Sequence, residues 1–324
     1  MKNVAVIGIG NIGSVHCSVI INSEQTNLYA ICDIDEGKME LPQYDNVKKV
    51  SDYHDILLNP DIDAVHICTP HYLHFPMAIE AMESGKDVVL EKPICMNSDE
   101  IEKLINKKNK TKTNVCVMLQ NRYNRCIVKL KELVSDTKAT GKLLGVVGCL
   151  TWFRDGKYYS EAPWRGNMSA AGGGLIINQA VHMIDLLSYF GGEIEKIKIS
   201  KSNKLLDFVE VEDTADACIV FKNSARGLFY AANTYSVNSP YRLELEFENV
   251  RYRYADNVLY QIKEDNIEII CKDDTIMQNG KIYWGNGHDV LINRFYSAIK
   301  DGTKDYVTLE DSAIAMKTML QFYK

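Results

Sequence analysis

The chain has 324 residues, 46% of them hydrophobic and 25% charged, a composition that supports two cored globular domains. A formal net charge of -6 excludes the broad basic face that a phosphate backbone demands, so nucleic acid is not an expected partner. The nine cysteines are scattered without a CxxC pair, several inside apolar runs such as "AVHIC" and "NVCVML". They read as buried thiols of a reducing compartment, not as a disulfide frame or a zinc cage. "MKNVAVIGIG" meets glycine too early for a signal-peptide core, and no apolar run has the length of a membrane span. The expectation is a cytoplasmic protein with no membrane partner.

"NVAVIGIG" is a β-branched run that predicts a strand, and "GNIGSVHCSVII" follows with helical spacing. The turn joining them is Gly8-Ile9-Gly10-Asn11-Ile12-Gly13, a GxGxxG. Gly8 permits the tight turn, Gly10 lets a pyrophosphate approach the backbone, and Gly13 lets the helix pack on the strand. A second strand, "NLYAICD", ends at Asp33, where a dinucleotide fold places the acid that accepts from the adenosine ribose hydroxyls. That carboxylate repels a ribose phosphate, so the expected cofactor is NAD in preference to NADP.

The alternation continues with "DAVHICTP", "DVVLEKP" and "NVCVML" as strands, and with "LHFPMAIEAMESGK" and "MNSDEIEKLINKKNKTK" as helices, the second capped by Asn97 or Ser98. This order predicts a parallel sheet covered on both faces, with ligands beyond the carboxyl ends of its strands, where "CTPHYLH" and "EKP" fall. Pro93 ends the strand and holds Lys92 at that edge. His71 and His74 have the spacing of a metal pair but no acidic or sulfur partner to complete a site, so no metal is expected.

Beyond a crossover near residues 120 to 123, the stretch "GGGLIINQAVHMID" is apolar, yet Asn178, His182 and Asp185 recur at steps of four and three and share one helical face. Asp185 is the sole charged residue between Gly166 and Gly192, which is unlike a solvated face. The stripe is expected to line a cleft. Upstream, Arg154, Tyr158, Tyr159, Trp164 and Arg165 gather aromatic faces for stacking and guanidiniums for a carboxylate or phosphate. "ADACIVFKNSARGLFYAANTYS", "YRLELEFENVRYRYADNVLYQI" and "IEIICK" alternate with period two, as half-covered antiparallel strands do. His288 either touches substrate or begins the last long helix.

In this order and spacing, "GIGNIG", "AICDID", "CTPHYLHFPMAIEAMESGKDVVLEKP", "WFRDGKYYSEAPWRG", "GGGLIINQAVHMIDLL" and "GHDVLINRFYSAIKDGTKDYVTLEDS" closely resemble the Gfo/Idh/MocA family of nicotinamide-dependent sugar and cyclitol oxidoreductases. The resemblance implies an N-terminal Rossmann dinucleotide-binding domain over residues 1–121. It implies a C-terminal α/β domain with a large, mostly antiparallel sheet over 122–324, which binds substrate and makes homodimer or homotetramer contacts. Cofactor contacts would come from Gly8, Gly10, Asn11, Ile12, Gly13, Asp33, Thr69, Pro70, His74, Glu91 and Lys92. Substrate contacts would come from Arg154, Tyr158, Trp164, Arg165, Asn178 and His182.

The implied catalytic pair is Lys92 and His182: His182 takes the hydroxyl proton, and Lys92 stabilises developing alkoxide character, though the two roles could be exchanged. Many members carry aspartate where Asn178 stands. The asparagine therefore breaks a Lys, Asp, His triad, weighs against free myo-inositol, and is similar to members acting on nucleotide-linked or substituted sugars. The expected function is NAD-dependent hydride transfer between a ring hydroxyl or keto group of a sugar and nicotinamide. Two alternatives are an NAD-dependent glycosidase with no net redox change and a non-catalytic dinucleotide-sensing regulator, the latter opposed by intact Lys92 and His182.

Overall fold

A computed structural model describes residues 1–203, 209–264, 266–274 and 285–324. They fall into two compact units: residues 1–120 with 288–313, and residues 121–287 with 314–324. In the first unit strands and helices alternate: β1 (Lys2–Ile7), α1 (Asn11–Asn22), β2 (Thr26–Cys32), β3 (Lys48–Val50), α2 (His54–Leu57), β4 (Ala64–Ile67), α3 (His71–Glu83), β5 (Asp87–Leu90), α4 (Ser98–Thr111) and β6 (Val115–Val117). The strands form one parallel sheet in the order β3-β2-β1-β4-β5-β6. Val4, Val6, Ile31, Val65, Ile67, Val89 and Leu90 have almost no exposed surface, because helices cover both faces of such a sheet. The order reverses direction between β1 and β4, so the crevice at their carboxyl ends opens beside Gly8 and Thr69.

The sequence expectation for α4 is met: the Asn97 side chain caps it by accepting from Glu100 N at 3.2 Å. α3 starts at His71, earlier than its apolar pattern suggests, and carries Pro76 within its second turn.

The second unit begins with α5 (Arg125–Ser135), α6 (Thr137–Thr140), β7 (Leu143–Thr151), α7 (Gly156–Ser160), α8 (Met168–Ala171) and α9 (Val181–Gly191). It continues with β8 (Ile194–Ser202), β9 (Thr214–Phe221), β10 (Arg226–Ala232), β11 (Arg242–Phe247), β12 (Arg251–Ala255), β13 (Val258–Lys263) and β14 (Asn266–Lys272). Among the described residues these strands form one sheet in the order β14-β13-β12-β11-β7-β10-β9-β8. Every pairing is antiparallel except that of β10 with β7. Burial alternates residue by residue along β9, β10 and β11, so one face is packed and the other is open. α9 packs on β7, where Gly148 leaves room for Met183: a Cβ there would sit 2.6 Å from its sulfur.

Two late helices follow. α10 (Gly287–Asp301) and the first turn of α11 (Leu309–Gln321) lie almost wholly in the first unit, and the rest of α11 belongs to the second.

All nine cysteines are free thiols, but three are not buried. Cys218 stands on the open face of β9, and Cys149 and Cys271 are partly covered. Among the described residues no helix is long and apolar enough to cross a membrane.

Candidate active site

In the first unit, the end of β1 turns at Gly8, whose φ of +92° suits glycine and whose Cβ would lie 2.7 Å from the Cys68 carbonyl oxygen. Gly13 is equally closed, since a Cβ there would strike the Gly8 carbonyl at 1.9 Å. Gly10 is the opposite case, with nothing within 4 Å of its Cβ position. It precedes α1, whose first turn has neither an acidic residue nor a side-chain cap, and Asn11 and Ile12 stand there in exposed and half-buried positions. Backbone N–H groups at that helix start are suited to an anion.

Asp33, at the end of β2, is buried and braces this turn: Oδ2 accepts from Ile9 N at 2.7 Å, and Oδ1 accepts from Asp35 N at 2.9 Å. Oδ2 keeps a second lone pair for a hydroxyl donor. The ammonium of Lys38 lies 3.4 Å from Oδ1, a cation beside the carboxylate that is expected to repel a ribose phosphate.

Thr69 and Pro70 follow β4 in half-buried positions. His74 joins their loop to the next one, with Nε2 2.8 Å from the Thr69 carbonyl and Nδ1 2.6 Å from that of Pro93. Burial lowers its pKa. Glu91 and Lys92 follow β5. The half-buried Lys92 donates its backbone N–H to Glu91 Oε2 at 3.2 Å, and His16 Nε2 lies 3.1 Å from Glu91 Oε1. Burial alone would raise the Glu91 pKa, but the hydrogen bond from His16 and the charge of Lys92 outweigh it and bring it down to about 2. His288, in the first turn of α10, is also buried, with Nε2 4.0 Å from Glu91 Oε1, and burial takes its pKa down to about 4.

The glycine-rich stretch of the second unit is not one continuous helix. Gly172 closes α8 at φ +76°, Gly173 adopts +152°, and a short π turn, Ile176–Ala180, leads into α9. The reason is Glu212, which sequence reasoning missed. Its carboxylate accepts from Gly174 N at 3.0 Å and from Ile176 N at 2.9 Å, and its carbonyl accepts from Leu175 N at 3.0 Å. Tyr323 donates to the same carboxylate at 2.7 Å. A Cβ on Gly173 would lie 2.1 Å from the Tyr323 hydroxyl, and one on Gly174 would lie 2.3 Å from the Glu212 carbonyl. The glycines make room for this cap.

The polar stripe then divides. Asn178 and Gln179 both donate to the Tyr158 hydroxyl, at 3.2 and 2.8 Å, and Gln179 accepts from Asn233 at 3.1 Å. The guanidiniums of Arg165 and Arg154 lie 4.4 and 5.0 Å from the centre of the Tyr158 ring, and that of Arg165 lies 5.9 Å from the centre of the half-buried Trp164 ring. The expected substrate groups Arg154, Tyr158, Trp164, Arg165 and Asn178 are thus brought together, whereas Tyr159 turns into a small core with Val209 and Val211. His182 is buried one turn beyond Asn178. Asp185 is held by Arg122 through two hydrogen bonds, a partner that no local pattern announced.

The model of the Gfo/Idh/MocA oxidoreductase family, NAD-binding Rossmann fold, matches residues 2–119, and the Gfo/Idh/MocA C-terminal domain matches residues 127–253. A myo-inositol 2-dehydrogenase of Thermotoga maritima is 27% identical over 263 residues, 79% of this chain and 75% of that protein. A levoglucosan dehydrogenase of Pseudarthrobacter phenanthrenivorans is 33% identical over 151 residues, 45% of this chain and 37% of the relative. The crystal structure of the WlbA dehydrogenase from Bordetella pertussis, in complex with NADH and UDP-GlcNAcA, shares the fold with a TM-score of 0.85 at 22% identity, covering 100% of this chain and 96% of that one.

Proposed function

The chain belongs to the Gfo/Idh/MocA oxidoreductase family, and from that premise we propose that it transfers a hydride between a ring CH–OH, or the matching ketone, of a sugar derivative and NAD. The observation that carries this reading is the glycine turn of the first unit, closed at Gly8 and Gly13, open at Gly10 and braced by Asp33. Those residues fit a dinucleotide: N–H groups at the start of α1 for the phosphates, and an Asp33 lone pair for a ribose hydroxyl. NAD held there supplies the hydride acceptor.

The chain's own groups would manage the proton and the charge. His182 accepts the hydroxyl proton as a neutral imidazole, and the Lys92 ammonium donates a hydrogen bond to the oxygen as negative charge grows on it. Asn178, with its amide on Tyr158, orients the substrate without ionising. The two arginines stacked on Tyr158 favour a sugar carrying carboxylate or phosphate. In this reading the first unit serves the cofactor and the second the sugar. The open sheet face, where Leu228 is 54% and Tyr230 42% exposed, would join two or more copies. The free state of all nine thiols supports a cytoplasmic setting.

The test is reduced-nicotinamide absorbance with NAD and a panel of free sugars, uronic acids, cyclitols and nucleotide sugars, beside Lys92→Ala. A rise with one class that disappears in the variant supports the reading. Bound NAD with no rise for any class, and cleavage of a glycoside in its place, would replace it with the glycosidase.

A further inference from the structure

Behind the Glu91-Lys92 turn runs a line of buried polar side chains: Tyr296 on α10, His66 on β4 and His16 on α1. The Tyr296 hydroxyl is 2.8 Å from His66 Nε2, His66 Nδ1 is 2.8 Å from His16 Nδ1, and His16 Nε2 is 3.1 Å from Glu91 Oε1. In a buried chain each proton must face an acceptor. Tyr296 is buried, and its hydroxyl has this single partner among the described residues, so it donates and His66 Nε2 accepts. An accepting ring nitrogen carries no proton, so the proton of His66 is on Nδ1 and is given to His16 Nδ1. His16 in turn has its proton on Nε2, facing the carboxylate. A doubly protonated His16 would reverse His66 and leave the Tyr296 proton facing an N–H.

We propose that Tyr296, His66 and His16 form a one-way hydrogen-bond chain that fixes the Glu91 carboxylate, and that Glu91 is the positioning residue which holds Lys92 through the Lys92 N–H. His16, Glu91 and His288 also offer ligand atoms within 4.8 Å of one another, a grouping able to seat a metal. The chain places a proton on His16 Nε2, which a metal would have to displace by reversing the whole chain. The wiring stands independently of any activity, whereas its effect on turnover rests on the dehydrogenase reading.

The experiment is long-range proton–nitrogen correlation on protein labelled with ¹⁵N-histidine, with His16→Gln and His66→Gln used for assignment. The expected spectrum shows His66 protonated on Nδ1 alone and His16 on Nε2 alone, with neither moved by added zinc. A doubly protonated His16, an Nε2–H His66, or a zinc-induced shift of His16 overturns the chain. In Tyr296→Phe, which keeps the ring, the His66 signals should move and hydrogen exchange at the Lys92 amide should quicken about tenfold. On the active enzyme, kcat should fall about three- to tenfold while KM for NAD holds. Glu91→Gln should retain the tautomers yet lose turnover, separating charge from shape. Unchanged Lys92 exchange in Tyr296→Phe would remove the positioning role. The assigned tautomers and altered exchange, found in a protein that oxidises no sugar, would leave this proposal standing and defeat the dehydrogenase reading instead.

Discussion

Arg122 holds Asp185 at two points, Nε to Oδ2 at 2.9 Å and Nη2 to Oδ1 at 2.5 Å. Asp185 is fully buried and lies three residues beyond His182 on α9, while the same guanidinium stacks on Tyr189 at 4.6 Å. The pair therefore sets how α9 is seated. Arg122→Ala takes the two-point charge partner away from a carboxylate that is fully buried, so it should cost about 3–5 kcal/mol of unfolding free energy. Arg122→Lys, which keeps the charge but loses the fork, should cost less. Urea denaturation of both variants decides it; an Arg122→Ala loss indistinguishable from that of a surface substitution would remove the pair from any account of α9.

Glu212 makes a parallel prediction at the other end of the helix. Glu212→Ala strips the cap from Gly174 and Ile176 and should lower stability by about 1–3 kcal/mol. Because the cap lies in the second unit, NAD affinity measured by fluorescence titration should hold while kcat falls. A parallel loss of NAD affinity would show that Glu212 acts more widely than on this helix.

Asp33→Asn keeps an acceptor for Ile9 N but removes the charge. NAD affinity should fall about ten- to hundredfold, and the gap to NADP should narrow, since Lys38 loses the nearer of its two carboxylates and keeps only the exposed Asp35 at 3.8 Å. Cofactor titrations with both dinucleotides test it. An unchanged preference would mean that the discrimination lies elsewhere.

Acid should weaken the fold in two overlapping windows. His288 has a folded pKa of about 4, below its unfolded value near 6.5, so the unfolded chain takes up the proton first and stability is lost as pH falls from about 6.5 to 4. Glu91, at about 2 when folded, contributes stability that is fully present above its unfolded value and is lost as pH falls from about 4.5 to 2. The urea midpoint at pH 5 should lie below that at pH 7.5, and His288→Gln should flatten the upper part of the decline. A midpoint independent of pH over that range would contradict the burial of a neutral His288.

Cys126 and Cys271 are far apart in the chain, yet their sulfurs lie 2.9 Å apart where α5 packs on β14. A small disulfide of the glutathione type should convert them to a Cys126–Cys271 bond, the two protons and two electrons passing to the reagent as two thiols. Peptide mapping should find that linkage, and Cys126→Ser should abolish it. Mixed disulfides alone would show that the packing keeps the two sulfurs from joining.

Sequence alone determined what depends on residues near one another in the chain. The GxGxxG turn, Asp33 at a strand end, the Asn97 cap and the strand–helix alternation were legible because local backbone chemistry and hydrophobic period decide them. It also marked Asn178 and His182 as unlike a solvated face. Tertiary structure decided their surroundings: Tyr158 on Asn178, Arg122 on Asp185, Glu212 beneath the glycines, and Tyr296 at the head of a chain that ends on Glu91. Those partners are separated by 20, 63, 38 and, for Tyr296 with His66, 230 residues. A buried polar group must find a partner, but no local period encodes which distant one the fold will bring to it.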